Sequence, residues 1–444
     1  MAPQVQVALN DSTLHHAVHI TLEHIGSWGP SPDFWLREVP LLAQNFEAVR
    51  HALHAIGIAH KSFLCRNNAS IDFEASKSEH QIIQQYNAAI VHLRKTTQHV
   101  PHQTRIQLNL VTCVLFICLE NIRGHYAEST RHFKAGSALV LSTPQSEGLR
   151  PDDDMKGLVL IFSRFGTNIT DLFHDQPSTN LGLLEPLAPL AFFNTSHSVR
   201  PFLDLAAAER ELDQLEAAYD VLNQLSGKNV AEHSARNGAA FWPWKIKDRI
   251  TSTTKGRDRL ERIFKRFGWW SACFDLFSDN HVATTSPTII LGLARLRLQQ
   301  KCWAALLRNE SAEQTPLNEA LDTDLRAIVD QAVIVAQTSN LQQGTIKFDG
   351  QVVPALAFAA CSTHDIRLLQ RIVVVLKALN TREGIWDSHD MAEILEALLR
   401  AKQRGGESHG VRFGDAPSFL GSLQSLETSQ ISPTNSFVTW LQEQ

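Results

Sequence analysis

Apolar residues recur along most of the chain at intervals of three and four positions, the spacing that places side chains on one face of an α-helix. Dipeptides typical of β-hairpins at strand spacing are nearly absent. The sequence therefore predicts an all-α fold, a large multi-helix body of about a dozen helices. The clearest stripes comprise Phe46, Val49, Leu53, Ile56 and Ala59; Leu212, Leu215, Ala218 and Leu222; Leu260, Ile263, Phe264 and Phe267; Leu368, Ile372, Val375, Leu376 and Leu379; and Met391, Ile394, Leu395 and Leu398.

Two apolar runs have an ambiguous pattern. Residues 372–376 are rich in valine, as a strand would be, but they lie inside a helical stripe and we predict a helix. Residues 108–119 include Asn109 and Thr112, and the run is shorter than the ~18 apolar residues that a membrane-spanning helix needs. We therefore predict a buried core helix there and no membrane association.

Changes in composition along the chain indicate its domain organisation. We expect one helical domain over residues 31–400, an N-terminal extension over 1–30, and a mobile tail over 401–444 with a candidate terminal helix. The middle of this domain is predicted to be loop-rich, because three stretches contain many polar residues, prolines and glycines: residues 142–156, 175–201 and 227–238.

Charge and composition exclude several classes of protein. The 444 residues carry 41 Lys and Arg against 46 Asp and Glu, for a formal net charge of −5. Hydrophobic residues make up 43% of the chain and charged residues 20%, values typical of a globular protein rather than a disordered one. A weakly acidic chain has no net electrostatic attraction to nucleic acid or to an anionic membrane. The N-terminus lacks the basic and apolar regions of a signal peptide, so we do not expect secretion.

One basic stretch, residues 245–266, has the composition of a nucleic-acid patch or a nuclear localisation signal. Asp248, Asp258 and Glu261 interrupt it, and it contains no long basic run. We therefore interpret it as a solvated helix face.

The cysteines show no disulfide or zinc-binding pattern. No two of them form a C-x-x-C pair, and most are tens of residues apart, whereas structural zinc sites use closely spaced pairs. We predict six buried free thiols in a reducing compartment, namely Cys65, Cys113, Cys118, Cys273, Cys302 and Cys361.

Known catalytic motifs are absent from the sequence. It contains no phosphate-binding loop, no dinucleotide fingerprint, no G-x-S-x-G and no H-E-x-x-H. In the histidine cluster formed by His15, His16, His19 and His24, His15 and His19 have the i, i+4 spacing of two metal ligands, but no third ligand is apparent. The aspartates at 152–154 lack the further acidic residue of a magnesium motif. We therefore predict no catalytic residue, no metal and no cofactor.

Ionisable and aromatic residues beside apolar helix faces leave two interpretations open. His51 and His54 flank an apolar stripe, where histidines are more often hydrogen-bonded residues at the core edge than catalytic bases. The tryptophans are typical anchors of a core or an interface, and the alternative is an aromatic-lined pocket for a small-molecule metabolite. The candidate pocket residues are His51, His54, Glu120, Arg123, Trp242, Trp244, Trp269 and Trp270.

Two short segments carry signals for helix ends and pairing. Gly124 is suited to ending a helix, and Glu120 and Arg123 have the i, i+3 spacing of an ion pair. Gly384 predicts a turn, and Asp387 or the serine after it can cap the next helix.

Four segments, in order along the chain, resemble one known family. They are FW at 34–35 with VP at 39–40 and EAVRHA at 47–52; QYNAAI at 85–90; LFICLENIRGHYAESTRHFKAG at 115–136; and DIR at 365–367 with REGIWDS at 382–388. Together they resemble the regulatory, middle-homology-type domain of fungal zinc-cluster (Zn2Cys6) transcription factors, a large helical region that follows a six-cysteine DNA-binding module.

The departure from the family concerns that module. It should lie before residue 34, but the first cysteine of this chain is Cys65. No recognisable DNA-binding segment therefore supplies the arginine or lysine side chains that would contact base edges. We expect no direct sequence-specific DNA binding.

The resemblance implies a transcription-factor-like regulator that lacks its own DNA-binding module. It implies action through protein contacts, with a full-length transcription factor or by self-association, in the control of fungal secondary-metabolite biosynthesis. The expected location is the nucleus, with the cytoplasm as the other option. The alternative is a cofactor-independent biosynthetic enzyme, a cyclase, dehydratase or isomerase, on the same helical scaffold, because one fold can host unrelated functions.

Overall fold

The computed structural model describes nine stretches of the chain. They are residues 12–26, 31–66, 72–142, 157–166, 198–227, 254–311, 318–339, 344–404 and 431–442, without Leu160, Ser163, Val282, Thr285, Asp349, His364 and Pro433. Most of the three segments predicted to be loop-rich lie outside the described residues.

The described residues are almost entirely helical, which confirms the all-α prediction. Two π-helical turns occur near the N-terminus, at Ala17–Thr21 and Phe34–Glu38. The helices in the first part of the chain are α1 (Ser12–His16), α2 (Leu22–Gly26), α3 (Val39–Asn45), α4 (Glu47–Leu64), α5 (Asp72–Thr97), α6 (His102–Arg123) and α7 (Tyr126–Ser142).

The second part of the chain adds helices and a small sheet. The helices are α8 (Leu205–Gly227), α9 (Thr254–Asn280), α10 (Pro287–Ser311), α11 (Asn318–Thr338), α12 (Val352–Ser362), α13 (Ile366–Ala378), α14 (Ser388–Arg404) and α15 (Ser436–Gln442). Residues 372–376 are helical within α13, as predicted.

The three short strands were not predicted. β1 (Thr345–Lys347) pairs in parallel with β2 (Thr381–Glu383), which pairs antiparallel with β3 (Trp386–Asp387). Gly384 turns the chain between β2 and β3 with a positive φ of 57°, a conformation that glycine adopts without steric cost. Strands of two or three residues are too short to show an alternating pattern.

The main hydrophobic core is built around α4 and α6. The predicted stripe of α4 is buried, with Val49, Leu53 and Ile56 fully inaccessible. α6 is the one helix in the described part of the chain that is long and apolar enough to cross a membrane, yet 78% of its apolar window is buried inside the protein. It is a core helix, as the sequence of residues 108–119 predicted.

A second core packs α8, α9 and one side of α10. The helix α10 lies between both cores, because Leu291, Ala294 and Leu298 face the main core whereas Leu296 and Trp303 face the second. A helix that is apolar on two sides shows little amphipathic periodicity, which is why the sequence pattern did not mark α10.

Both ends of the chain contribute to the packing. In the segment predicted as an N-terminal extension, Ala17, Leu22 and Ile25 are buried in the main core. In the segment predicted as a mobile tail, α15 buries Phe437 against Trp386, with ring centroids 5.7 Å apart. The domain boundaries at residues 30 and 400 stay predictions.

Two glycines give a matched test of the packing. We expect Gly57→Ala to lower the free energy of unfolding by about 1–3 kcal/mol, because a Cβ there would lie 2.6 Å from the backbone oxygen of Thr13 and the core would be overpacked. We expect Gly268→Ala to raise it by about 0.5–1 kcal/mol, because the exposed face of α9 leaves the new methyl free of contacts. Urea denaturation of both variants checks the pair, and a loss of stability in Gly268→Ala would contradict it.

Candidate functional site

The structure separates the candidate pocket residues into three places. Trp242 and Trp244 lie outside the described residues. His51 and His54 lie half-buried on α4, Glu120 and Arg123 lie at the end of α6, and the other two tryptophans lie on α9 in the second core. The two tryptophans on α9 thus belong to a different core from α4 and α6.

His51 contacts two side chains of α5. Its Nδ1 lies 2.7 Å from Oε1 of Gln85, and its ring stacks on that of His92 with centroids 5.1 Å apart. These contacts tie α4 to α5.

The two candidate tryptophans that the structure describes, Trp269 and Trp270, are structural anchors of α9. Trp270 is 1% exposed and donates from Nε1 to the carbonyl oxygen of Ala208 at 2.9 Å. Trp269 donates to Ser198 O at 3.2 Å, and the Arg266 guanidinium lies 4.1 Å from its ring centroid. Arg266 belongs to the stretch predicted as a solvated helix face, but it is buried and bonded to a carboxylate on α8.

Glu120 and Arg123 form the ion pair that their spacing predicted. Arg123 Nη1 donates to Glu120 Oε2 at 2.7 Å, and Arg123 also bonds Glu79 on α5. His125 Nδ1 lies 3.1 Å from the same Glu120 oxygen. Gly124 ends α6 with a left-handed φ of 78°, as predicted. This network fixes the C-terminal end of α6 against α5.

A buried polar cluster follows directly from this end of α6. We call it the hairpin junction and define it by Arg66, Lys347, Arg382, Glu383 and Asp387. All five side chains are at most 19% exposed. Three of them belong to the segment REGIWDS, whose family resemblance was noted from the sequence. The junction joins the small sheet to α6, α12 and α14.

Arg382 connects the sheet to the end of α6. Its Nε donates to Asp387 Oδ2 at 2.8 Å, and its Nη1 donates to the carbonyl oxygens of Asn121 at 3.1 Å and Ile122 at 2.7 Å. Those carbonyls belong to the last turn of α6, where carbonyl groups lack the regular i+4 donor. The Asn121 carbonyl also accepts the Gly124 N–H at 3.1 Å. The planar guanidinium thus caps a helix and neutralises a carboxylate at the same time.

Glu383 caps a different helix from a distance. Its Oε2 accepts the backbone N–H groups of Gln351, Val352 and Val353 at 2.8, 2.8 and 3.0 Å. The other oxygen lies 3.8 Å from Lys347 Nζ. A carboxylate at this position satisfies the free donors of the first turn of α12 and interacts favourably with the helix dipole.

Asp387 caps α14, as the sequence predicted. Its Oδ1 accepts the backbone N–H groups of His389 at 2.8 Å and Asp390 at 3.2 Å, and its Oδ2 accepts from Arg66 at 2.5 Å. Arg66 also donates to Asn380 Oδ1 at 2.8 Å. Arg66 was not singled out from the sequence, because it follows the end of α4 in a region without a recognisable motif.

Burial shifts the ionisation of these groups in different directions. Burial lowers the pKa of Lys347 to about 8, although the neighbouring Glu383 carboxylate raises it. Burial disfavours the charged form of Asp387, but Arg382 and Arg66 outweigh it and hold the pKa of Asp387 well below its usual range. Asp387 is therefore an anion at neutral pH.

Asp390 ionises at a much higher pH than Asp387. Burial, followed by the Asp387 carboxylate, raises the pKa of Asp390 to about 7. Its Oδ2 is buried without a hydrogen-bond partner. Asp390 is thus a carboxyl group whose ionisation opposes folding.

We expect Asp390→Asn to raise the free energy of unfolding at pH 8 by roughly 1–2 kcal/mol and to leave it nearly unchanged at pH 4. The folded pKa of Asp390 lies above its unfolded value of 3.8, so the cost of ionisation grows as the pH rises from about 4 to about 7. Asparagine has no such cost. Urea denaturation at both pH values measures the difference, with the exposed Asp330→Asn as the control. A loss of stability at pH 8 would contradict the assignment.

A cavity of about 10 Å³ lies beside the junction, next to Lys347, Asn121 and Arg382. That volume holds about one water molecule and no metabolite. Among the described residues, no group of three or more His, Cys, Asp or Glu side chains is arranged to hold a metal ion. The junction therefore organises helix ends, and its geometry provides no substrate pocket.

All six cysteines are free thiols, but one prediction about them was wrong. Cys118, Cys273 and Cys361 are buried and Cys113 and Cys302 are partly buried, whereas Cys65 is exposed. Cys65 follows the last residue of α4, where the chain turns toward solvent.

The comparison with curated proteins finds a regulator. The "Aspercryptin biosynthesis cluster-specific transcription regulator atnN" of Emericella nidulans is 25% identical over 155 residues. The match covers 35% of this chain and 24% of that protein, so it spans about a quarter of the length of the relative. No family model matches the chain. No solved structure matches it either. The chain is thus similar to a fungal transcription regulator over about a third of its length.

Proposed function

We propose that this protein regulates transcription of a fungal secondary-metabolite gene cluster through protein contacts. The observation that carries the proposal is the similarity to a cluster-specific transcription regulator. The four sequence segments that resemble the regulatory domain of zinc-cluster transcription factors support it, because they extend from residue 34 to residue 388.

The physical character of the body agrees with this role. The residues of the REGIWDS segment, Arg382 to Ser388, are buried and bonded to helix ends, so the segment specifies a fold and no reaction. The cavity beside them holds about one water molecule and is too small for a metabolite. No observation favours the enzyme alternative, so we carry only the regulator forward.

Protein contacts are the proposed mode of action because these 444 residues contain no six-cysteine module. The proposed partner is a full-length transcription factor or a second copy of the chain, and the proposed location is the nucleus. The formal charge of −5 provides no general attraction to the DNA backbone.

Gene deletion tests the regulator role. Transcripts of the biosynthetic genes adjacent to the gene are expected to fall in the deletion strain and to recover when the 444-residue protein is expressed from another locus. Feeding late pathway intermediates to the deletion strain should not restore the transcripts. Unchanged transcripts with the accumulation of a single intermediate would instead indicate an enzyme.

The mode of action needs a separate measurement. Fluorescence anisotropy of the purified protein on promoter duplexes from that cluster is expected to show no site-selective binding at 150 mM salt, on the order of physiological ionic strength. Selective binding to one duplex would contradict action through protein contacts and would leave the regulator role in place.

A further inference from the structure

A second cluster of titratable side chains, one buried and two half-buried, lies where the N-terminal helices meet α4. We call it the histidine seam and define it by His16, His24 and His60. The ring centroids of His16 and His24 lie 5.0 and 5.2 Å from that of His60. His60 is completely inaccessible to solvent. Two of the three rings thus come from the N-terminal segment and one comes from the body of the protein.

The hydrogen bonds of the seam fit neutral imidazoles. His60 Nδ1 lies 2.8 Å from Thr21 Oγ1 and 3.3 Å from His16 Nε2. His60 Nε2 and His24 Nδ1 are buried without hydrogen-bond partners. A proton added at either of those nitrogens would place a charged donor in a buried position without an acceptor.

The surrounding charges also oppose protonation. Burial lowers the pKa of His16, and Lys61 on α4 and the neighbouring His15 lower it further. Burial also lowers the pKa of His24, and Lys347 on β1 acts in the same direction. Glu23 on α2 is the one anion among the groups acting on the three histidines, and it acts on His24. Two cations and one anion therefore face the seam from α4, β1 and α2.

The seam coincides with the contact between residues 12–26 and the rest of the protein. Lys61 Nζ donates to the carbonyl oxygen of Ser12 at 3.1 Å. Gly57 allows the backbone of Thr13 to approach α4 closely, and Ala17 and Leu22 are buried beside it in the main core. Release of residues 12–26 would separate the three rings and expose each of them to water.

We propose that the histidine seam is a proton-sensitive latch, which keeps residues 12–26 docked on α4 while its imidazoles are neutral and releases them in acid. The docked geometry has no acceptor for added protons, whereas the released segment leaves every ring solvated. Protons therefore bind preferentially to the released state and shift the equilibrium toward it.

The direction and size of the effect follow from His60. Burial, and then His24 and His16, lower the pKa of His60 from 6.5 to about 3. Docking is therefore undisturbed above pH 6.5 and weakens as the pH falls from 6.5 toward 3. At pH 5 the proton linkage of His60 alone increases the released population about 30-fold relative to pH 7.5.

Hydrogen–deuterium exchange of the full chain tests the latch. Exchange is measured at pH 7.5 and pH 5.0 in EDTA, with correction for the intrinsic pH dependence, and residues 12–26 are compared with α12. We expect protection of residues 12–26 to fall by about 30-fold in acid while α12 keeps its protection. An equal change in both segments, or no change in residues 12–26, would overturn the proposal.

A variant isolates the imidazoles from other acid effects. In His60→Gln the pH dependence of residues 12–26 should fall to less than about threefold, because glutamine bonds Thr21 and cannot be protonated. The exposed His80→Gln is the matched control and should behave like the wild type. If His60→Gln retains the full pH dependence, the proposal is wrong. The wild-type comparison with α12 decides the question even where this variant does not fold.

Discussion

Replacing Glu383 by alanine is expected to lower the free energy of unfolding by about 3–5 kcal/mol. The side chain is fully buried, and its loss leaves the backbone N–H groups of Gln351, Val352 and Val353 without their acceptor. It also leaves the buried ammonium of Lys347 without its counter-charge at 3.8 Å. Chemical denaturation at pH 7 measures the loss.

Glu261→Ala is the matched control for this prediction. Glu261 lies on the surface of α9, where its carboxylate is 64% exposed and pairs with Lys265 at 2.7 Å. Exposed pairs contribute little, so we expect no measurable change in the free energy of unfolding. Similar effects of the two substitutions would contradict the role of Glu383 as a buried helix cap.

Replacing Arg382 by methionine is also expected to lower the free energy of unfolding, by about 3–5 kcal/mol. The substitution removes the donor to the carbonyl oxygens of Asn121 and Ile122 and leaves Asp387 buried with Arg66 as its remaining cation partner. Arg382→Lys should recover only part of the loss, because an ammonium cannot bond both the carboxylate and the carbonyls in the planar arrangement.

A double-mutant cycle separates the pair from its surroundings. Arg382→Met and Asp387→Asn should couple by more than about 1 kcal/mol, because the two side chains share one network. The exposed Arg131, which pairs with Glu128 at 2.9 Å, is the control, and Arg131→Met should change stability by less than about 0.5 kcal/mol. Additive effects of the two junction substitutions would show that the contact between them is energetically unimportant.

The local signals in the sequence were sufficient for helices and their ends. The stripe in α4, the helix at residues 372–376, the end of α6 at Gly124 and the cap at Asp387 are all present. Each depends on residues within a few positions of one another, so propensity and periodicity decide the outcome. The same holds for the ion pair at i, i+3 between Glu120 and Arg123.

Contacts between distant segments could not be predicted in the same way. Arg66 and Asp387 are 321 positions apart, and Glu383 caps a helix that begins 31 residues before it. Nothing local distinguishes Lys347 from a surface lysine, although it is buried in the small sheet. The histidine seam was missed for the same reason. The sequence showed the N-terminal cluster that contains His16 and His24, but nothing local connected it with His60, which lies 44 positions from His16.

The position of α10 between two cores has a consequence for how this fold can change. A one-residue insertion rotates the downstream part of a helix by about 100°. In most surface helices a local bulge absorbs that rotation on the solvent side. In α10 an insertion between Leu298 and Trp303 would turn Trp303 away from the second core while Leu298 kept its place in the main one. We therefore expect an insertion between these two residues to be tolerated poorly, because one side chain of the pair would lose its core.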